Sequence, residues 1–151
     1  MKTITTLLIG LLFISCTGQD KFVYECSQDL RPYLYEYLAT LEKHDIKFKK
    51  QNFILVFDSD IMKTNMLGLA RGMNNDNLVY VKINPKGWFE LTEKQKRHLI
   101  FHELSHDIFN IKHTQDIELM RPSMATVKAS MNMNIDNEII TLMSYIKVTK
   151  Q

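Results

Sequence analysis

Cysteine is nearly missing from this chain: Cys16 and Cys26 are the two it has in 151 residues. Two thiols cannot build the cross-linked framework of a small secreted scaffold, so the fold has to stand on its apolar core and on any metal it binds. Charge of one sign is missing too. The 19 basic and 17 acidic side chains are interspersed and leave a formal net charge of +2, with no basic stripe of the kind that follows a nucleic-acid backbone. The cluster Lys47-Phe48-Lys49-Lys50 reads as a solvated strand edge or loop rather than a binding patch. Long apolar runs are also lacking. Leu7 to Ile14 falls well short of the ~20 residues of a bilayer-spanning helix. No internal repeat and no low-complexity tract interrupts the chain, and its length suits one domain.

What is present begins with a leader. Lys2, the apolar run Leu7 to Ile14, and the polar stretch Thr17 to Asp20 after Cys16 have the layout of a secretory signal. Phe13-Ile14-Ser15-Cys16 resembles a bacterial lipobox, with Phe13 where Leu is usual, which implies that Cys16 becomes a lipid-modified first residue. The expected division is a signal peptide over 1–16 and a single domain over 17–151. The expected location is the cell envelope, at the outer membrane through the lipid alone, with a periplasmic or secreted form as the alternative. A Cys16–Cys26 disulfide is open only to an unlipidated Cys16.

Periodicity then sets out the elements. Phe22 to Glu25 reads as a short first strand. Asp29 is placed as an N-cap, with Pro32 in the first turn and Leu30, Leu34, Tyr37, Leu38 and Leu41 at helical spacing up to about His44. Phe53 to Phe57 is a continuous apolar run, the pattern of a buried strand. Met66 to Gly72, with two glycines, and Leu78 to Ile83 read as a hairpin around the turn Asn74-Asn75-Asp76, and Asn84-Pro85-Lys86-Gly87 ends it. Thr92 with Gln95 three residues on forms a capping box, and the helix it opens runs to about Phe109. A loop from His113 to Ala125 and a helix from about Asp136 to Lys147 follow. The expected class is α+β, with one mixed sheet packed on the helix from Thr92 and further helices on either side of it in sequence.

That helix carries His102-Glu103-Leu104-Ser105-His106. Histidines four apart lie one above the other on one helix face and can share a metal, while Ile100, Phe101, Leu104 and Ile108 fall on the other side. Glu103 follows the first ligand, where its carboxylate reaches a metal-activated water rather than the metal. A catalytic zinc needs a third protein ligand and an open fourth position. His113 supplies it if Asn110, which tolerates the left-handed conformation, stops the helix and turns the chain back. Glu138 on the last helix is the rival, with Asp116 and Glu118 behind it. His98 shares the His102 stripe, but it lies two turns, about 12 Å, from His106 and reads as a helix-surface residue. Asp107 and Arg121 receive no role; Arg121 is near the site in sequence only.

These residues resemble the metzincin-type metallopeptidases, whose pattern is His-Glu-x-x-His-x-x-Gly-x-x-His followed by a tight turn with a Met below the zinc. Leu119-Met120-Arg121-Pro122 resembles that turn, with Met120 as its Met; ordinary core packing is the other reading of Met120. Phe109 stands where the family has Gly, and His113 is one residue late; a shift of the turn to Asn110 accounts for both. The chain is also similar to small predicted metallopeptidase lipoproteins of Bacteroidetes-type bacteria, with Trp88 in a comparable place. The resemblance implies a zinc-dependent endopeptidase acting on a peptide or protein substrate, with His102, His106 and His113 as ligands and Glu103 as general base. Leu78 to Asn84 is the candidate strand for an extended substrate to pair with, an ordinary interior strand being the other reading. A non-catalytic zinc-binding surface or periplasmic lipoprotein is the alternative, though no Cys near the motif could close a structural site.

Overall fold

The structure is a computed structural model that describes residues 25–73, 77–122 and 133–150. The leader with Cys16, the first part of the expected first strand and the turn Asn74-Asn75-Asp76 lie outside the described residues.

The architecture is α+β. Strand β1 (Glu25–Cys26) is followed by helix α1 (Arg31–Lys43), β2 (Asn52–Phe57), a 3-10 turn (Ser59–Lys63), β3 (Gly68–Ala70) and β4 (Leu78–Ile83). Helices α2 (Pro85–Phe89) and α3 (Glu93–Phe109), a second 3-10 turn (Glu118–Met120) and α4 (Ile135–Lys150) complete it. The four strands form one mixed sheet in the order β1-β2-β4-β3. β1 and β4 both run parallel to β2, and β3 is antiparallel to β4 as the expected hairpin requires. Among the described residues no helix is long and apolar enough to cross a membrane.

Three expectations need correcting, and one needs extending. β2 is not buried on both faces: Phe53 and Leu55 are buried while Ile54 and Val56 are half-buried, so one face of the sheet takes the helices. β4 alternates in the same way, with Val79, Val81 and Ile83 inward. It is also an interior strand, paired on both sides, and the strands at the sheet's edges are β1 and β3. Asp29 does not cap α1. Leu30 holds that position without a side-chain bond, because the Ser27 carbonyl already accepts from Leu30 and Arg31 and the Leu30 side chain is drawn fully into the core. Asn84-Pro85 not only ends β4 but starts α2, the Asn84 side chain accepting from the Gly87 amide at 3.1 Å.

Helix α3 is the central element. Its Thr92–Gln95 capping box forms as the sequence predicts: Gln95 Oε1 accepts from the Thr92 amide at 2.9 Å and Thr92 Oγ1 from the Gln95 amide at 3.4 Å. Ile100, Phe101 and Leu104 are fully buried and Ile108 half-buried. α1 lies against it through Tyr37, whose ring meets Phe101 edge-on at 4.9 Å and whose hydroxyl pairs with Ser105 Oγ at 2.9 Å. With α1, α4, β3, β4 and the Glu118–Met120 turn all packed on it, α3 has little surface left for solvent. This is why His98, expected on the surface, is fully buried.

The helix stops at Asn110, which takes φ 51 and ψ 42. Its amide reaches back to the Ser105 carbonyl, and the chain reverses toward the helix it has just left. Only glycine and, at small cost, asparagine adopt this conformation readily. We expect Asn110→Gly to leave stability within about 0.5 kcal/mol, while β-branched Asn110→Val costs about 1–2 kcal/mol. Urea denaturation midpoints check this, and equal midpoints for the two variants would refute it.

Candidate metal centre

Each histidine of the motif is fixed from behind by a backbone carbonyl. His102 Nδ1 donates to Leu119 O at 2.6 Å, and His106 Nδ1 donates to Ile111 O. A carbonyl only accepts, so in the neutral ring the proton sits on Nδ1 and Nε2 is left bare. The two carbonyls come from the two devices that shape the following loop. Ile111 is the first residue after the Asn110 reversal, and Leu119 lies in the Glu118–Met120 turn, which closes through Met120 N to Ile117 O at 2.8 Å. Met120 is fully buried, and its carbonyl accepts from Thr114 N at 3.0 Å, which ties down the segment carrying His113.

The bare nitrogens converge. His106 Nε2 is 3.0 Å and His113 Nε2 is 3.2 Å from His102 Nε2, and the three ligand atoms all lie within 4.8 Å of one another. A four-coordinate metal bound by imidazole at about 2.0–2.1 Å separates its ligating nitrogens by about 3.3 Å. Two lone pairs facing each other at 3.0 Å repel unless a cation lies between them. The three residues are therefore suited to hold a metal ion. Among the described residues neither Glu138, Asp116 nor Glu118 joins this cluster. Asp116 turns to the Thr114 hydroxyl and Glu118 pairs with Arg121 at 2.8 Å, so Arg121 is already engaged. His98 is not in the cluster either, its ring centre 6.3 Å from that of His102.

Glu103 sits on the other side of the cleft floor, against the edge strand. Its carboxylate accepts from the Ala70 amide, and a Cβ on Gly68 would lie 2.6 Å from Oε1. Only glycine at 68 lets the carboxylate come this near the strand. A cavity of about 380 Å³ opens over the site, lined by Gly68, Leu69 and Ala70 of β3 and by His102, Glu103, His106 and His113. Met66 and Met73 form its rim. Burial governs the electrostatics. It pushes the Glu103 carboxyl up to about 8, with the Ala70 amide opposing and the charge of Asp107 adding to the rise. It pushes His102 down to about 3, reinforced by His106, and lowers His106 as well. His98, with neither ring nitrogen hydrogen-bonded, is pushed down to about 4 by burial alone.

Two residues that sequence reasoning did not assign meet beside the site. Asp107 is fully buried and accepts from the Gly72 amide at 2.6 Å and the Tyr80 amide at 3.1 Å. Lys50, read as part of a solvated cluster, is 7% exposed and reaches Asp107 Oδ1 at 2.7 Å. No short-range signal in the sequence could have found them, because Lys50 and Asp107 are 57 residues apart. Comparison with protein-family models, with curated proteins and with solved structures returns no match to this chain.

The shifts fix how the metal-free chain responds to pH. His98 and His102 take a proton more readily unfolded than folded, so acid below 6.5 favours the unfolded chain down to about 4 and about 3. Glu103 keeps its proton longer when folded, so raising the pH from 4.5 to about 8 favours the unfolded chain. Stability should rise from mild acid to about pH 6.5 and then decline toward pH 8, by up to about 1.4 kcal/mol per unit. Urea unfolding of the chelator-treated protein measures this, and Glu103→Gln should abolish the alkaline decline alone. A parent protein whose stability keeps rising to pH 8 would contradict the placement of Glu103.

Proposed function

We propose that the chain is a zinc metalloendopeptidase of metzincin-like type. The observation that carries this is the convergence of three imidazole nitrogens, two of them left bare because their rings donate from Nδ1 to carbonyls, beside a buried carboxylate in an open cleft. Imidazole ligands suit zinc, and with no other His, Cys or acidic side chain in the cluster among the described residues, a coordination position is left for solvent. The Met120 turn supports the family reading, since the carbonyl of Leu119 before it orients His102. The left-handed Asn110 supports it too, taking the place of the family's glycine one residue later.

Zinc, when bound, supplies a Lewis acid that lowers the pKa of water to about 7 and polarises the scissile carbonyl. His102, His106 and His113 hold it through Nε2. Glu103 takes a proton from the attacking water on its carboxylate and gives it to the departing amine, which leaves the carboxylate ready for the next cycle. The Ala70 amide keeps its carboxylate directed at the cleft. β3 is one edge of the sheet and lines the cleft, so an extended peptide is read as lying along β3, where the Ala70 and Gly72 amides are already held by Glu103 and Asp107. This replaces β4 in that role. The lipobox-like leader supports an exported lipoprotein, anchored through Cys16.

The purified chain is expected to hold one zinc by mass spectrometry and to cleave casein or a peptide library. Glu103→Ala should keep the metal and lose about 10²–10⁴-fold in kcat/KM, whereas His113→Ala should lose the metal. Stoichiometric zinc without cleavage under any condition would remove the enzyme reading. Separately, Cys16→Ala should release the protein from the membrane fraction and abolish labelling by a fatty-acid probe; unchanged labelling would remove the anchor.

A further inference from the structure

The contact between α3 and β3 has a second half that the chemistry above does not use. Four residues of helix advance about 6 Å and two residues of strand about 6.8 Å. Carboxylates one helical turn apart therefore match alternate amides on one side of a strand. Glu103 accepts from Ala70, and Asp107 accepts from Gly72 at 2.6 Å. Both glycines belong to the fit. A Cβ at 72 would lie 2.7 Å from Asp107 Oδ1 and 2.3 Å from the Leu78 carbonyl, as one at 68 would strike Glu103.

Lys50 closes the arrangement. Its ammonium donates to Asp107 Oδ1 at 2.7 Å, to the Gly72 carbonyl at 2.6 Å and to the Asp107 carbonyl. All three of its donors are used, and they bind helix and strand at one point. The side chains are 8% and 0% exposed. A buried ion pair is weak evidence for stability, because desolvation offsets the attraction. What this pair does fix is register: it pins β3 to α3 two residues beyond the amide that Glu103 holds.

We propose that Asp107 and Lys50 are a positioning pair that holds the edge strand on α3 in the register that aims the Glu103 carboxylate into the cleft. Neither lines the cavity over the three histidines. The role of Glu103 rests on the peptidase reading; the register does not.

The test compares the parent chain with Lys50→Met/Asp107→Asn, which keeps an acceptor for Gly72 and Tyr80 and leaves no lone charge buried. Lys50→Arg is the conservative control, and thermal melts establish that each variant is folded. In the double variant, zinc affinity should stay within about threefold, while kcat falls about tenfold to a hundredfold at nearly constant KM. Amide hydrogen exchange at Ala70 and Gly72 should speed up about tenfold. Lys50→Arg should keep kcat and Ala70 and Gly72 exchange close to those of the parent chain. A pair with a purely structural role would lower the melting temperature and leave kcat and Ala70 exchange unchanged, and that result overturns the proposal. If the parent holds zinc but cleaves nothing, the peptidase reading fails instead. Exchange then decides the register: faster exchange at Ala70 upholds the pair and unchanged exchange overturns it.

Discussion

Two imidazoles whose bare nitrogens face each other at 3.0 Å are the constraint on which the rest of the site depends. The arrangement is unfavourable for neutral rings alone and favourable once a cation is shared. It survives in the fold because each ring is held from its far side by a carbonyl that cannot donate. Those carbonyls belong to Ile111 and Leu119, so the loop after α3 does more than carry His113. The reversal at Asn110 delivers Ile111 to His106, and the turn at Glu118–Met120 delivers Leu119 to His102. One loop thus orients both helix ligands and contributes the third.

The opposite wall of the cleft is built by close approach. Helix α3 lies so near β3 that the strand carries glycine where the helix carries a carboxylate, at 68 against Glu103 and at 72 against Asp107. The two walls act on the same helix and have different tasks. The loop side sets the lone pairs of a site suited to a metal ion. The strand side holds a carboxylate that burial pushes toward neutrality and an amide that pulls it back. That balance leaves the carboxyl of the metal-free chain at about 8.

Much of this was legible in the sequence. The capping box of Thr92 and Gln95 and the left-handed stop at Asn110 follow from local chemistry, and the structure places them so; it also brings His113 rather than Glu138 beside His102 and His106. The hairpin of β3 and β4 was legible because alternation and turn residues are short-range signals. What was not legible depends on tertiary packing. His98 looked like a surface residue because a helical wheel assumes one solvated face, whereas α3 is enclosed on nearly every side. Lys50 looked solvated because its neighbours are lysines, and its partner is 57 residues away. Strand order is a global property, so nothing in Leu78 to Asn84 could reveal that it is interior and that Gly68–Ala70 forms an edge.

The most direct measurement is X-ray absorption at the zinc edge of the metal-loaded chain. The account predicts a first shell of three imidazole nitrogens and one solvent oxygen at about 2.0–2.1 Å. A shell completed by a fourth protein ligand, or one with fewer than three imidazoles, would contradict it.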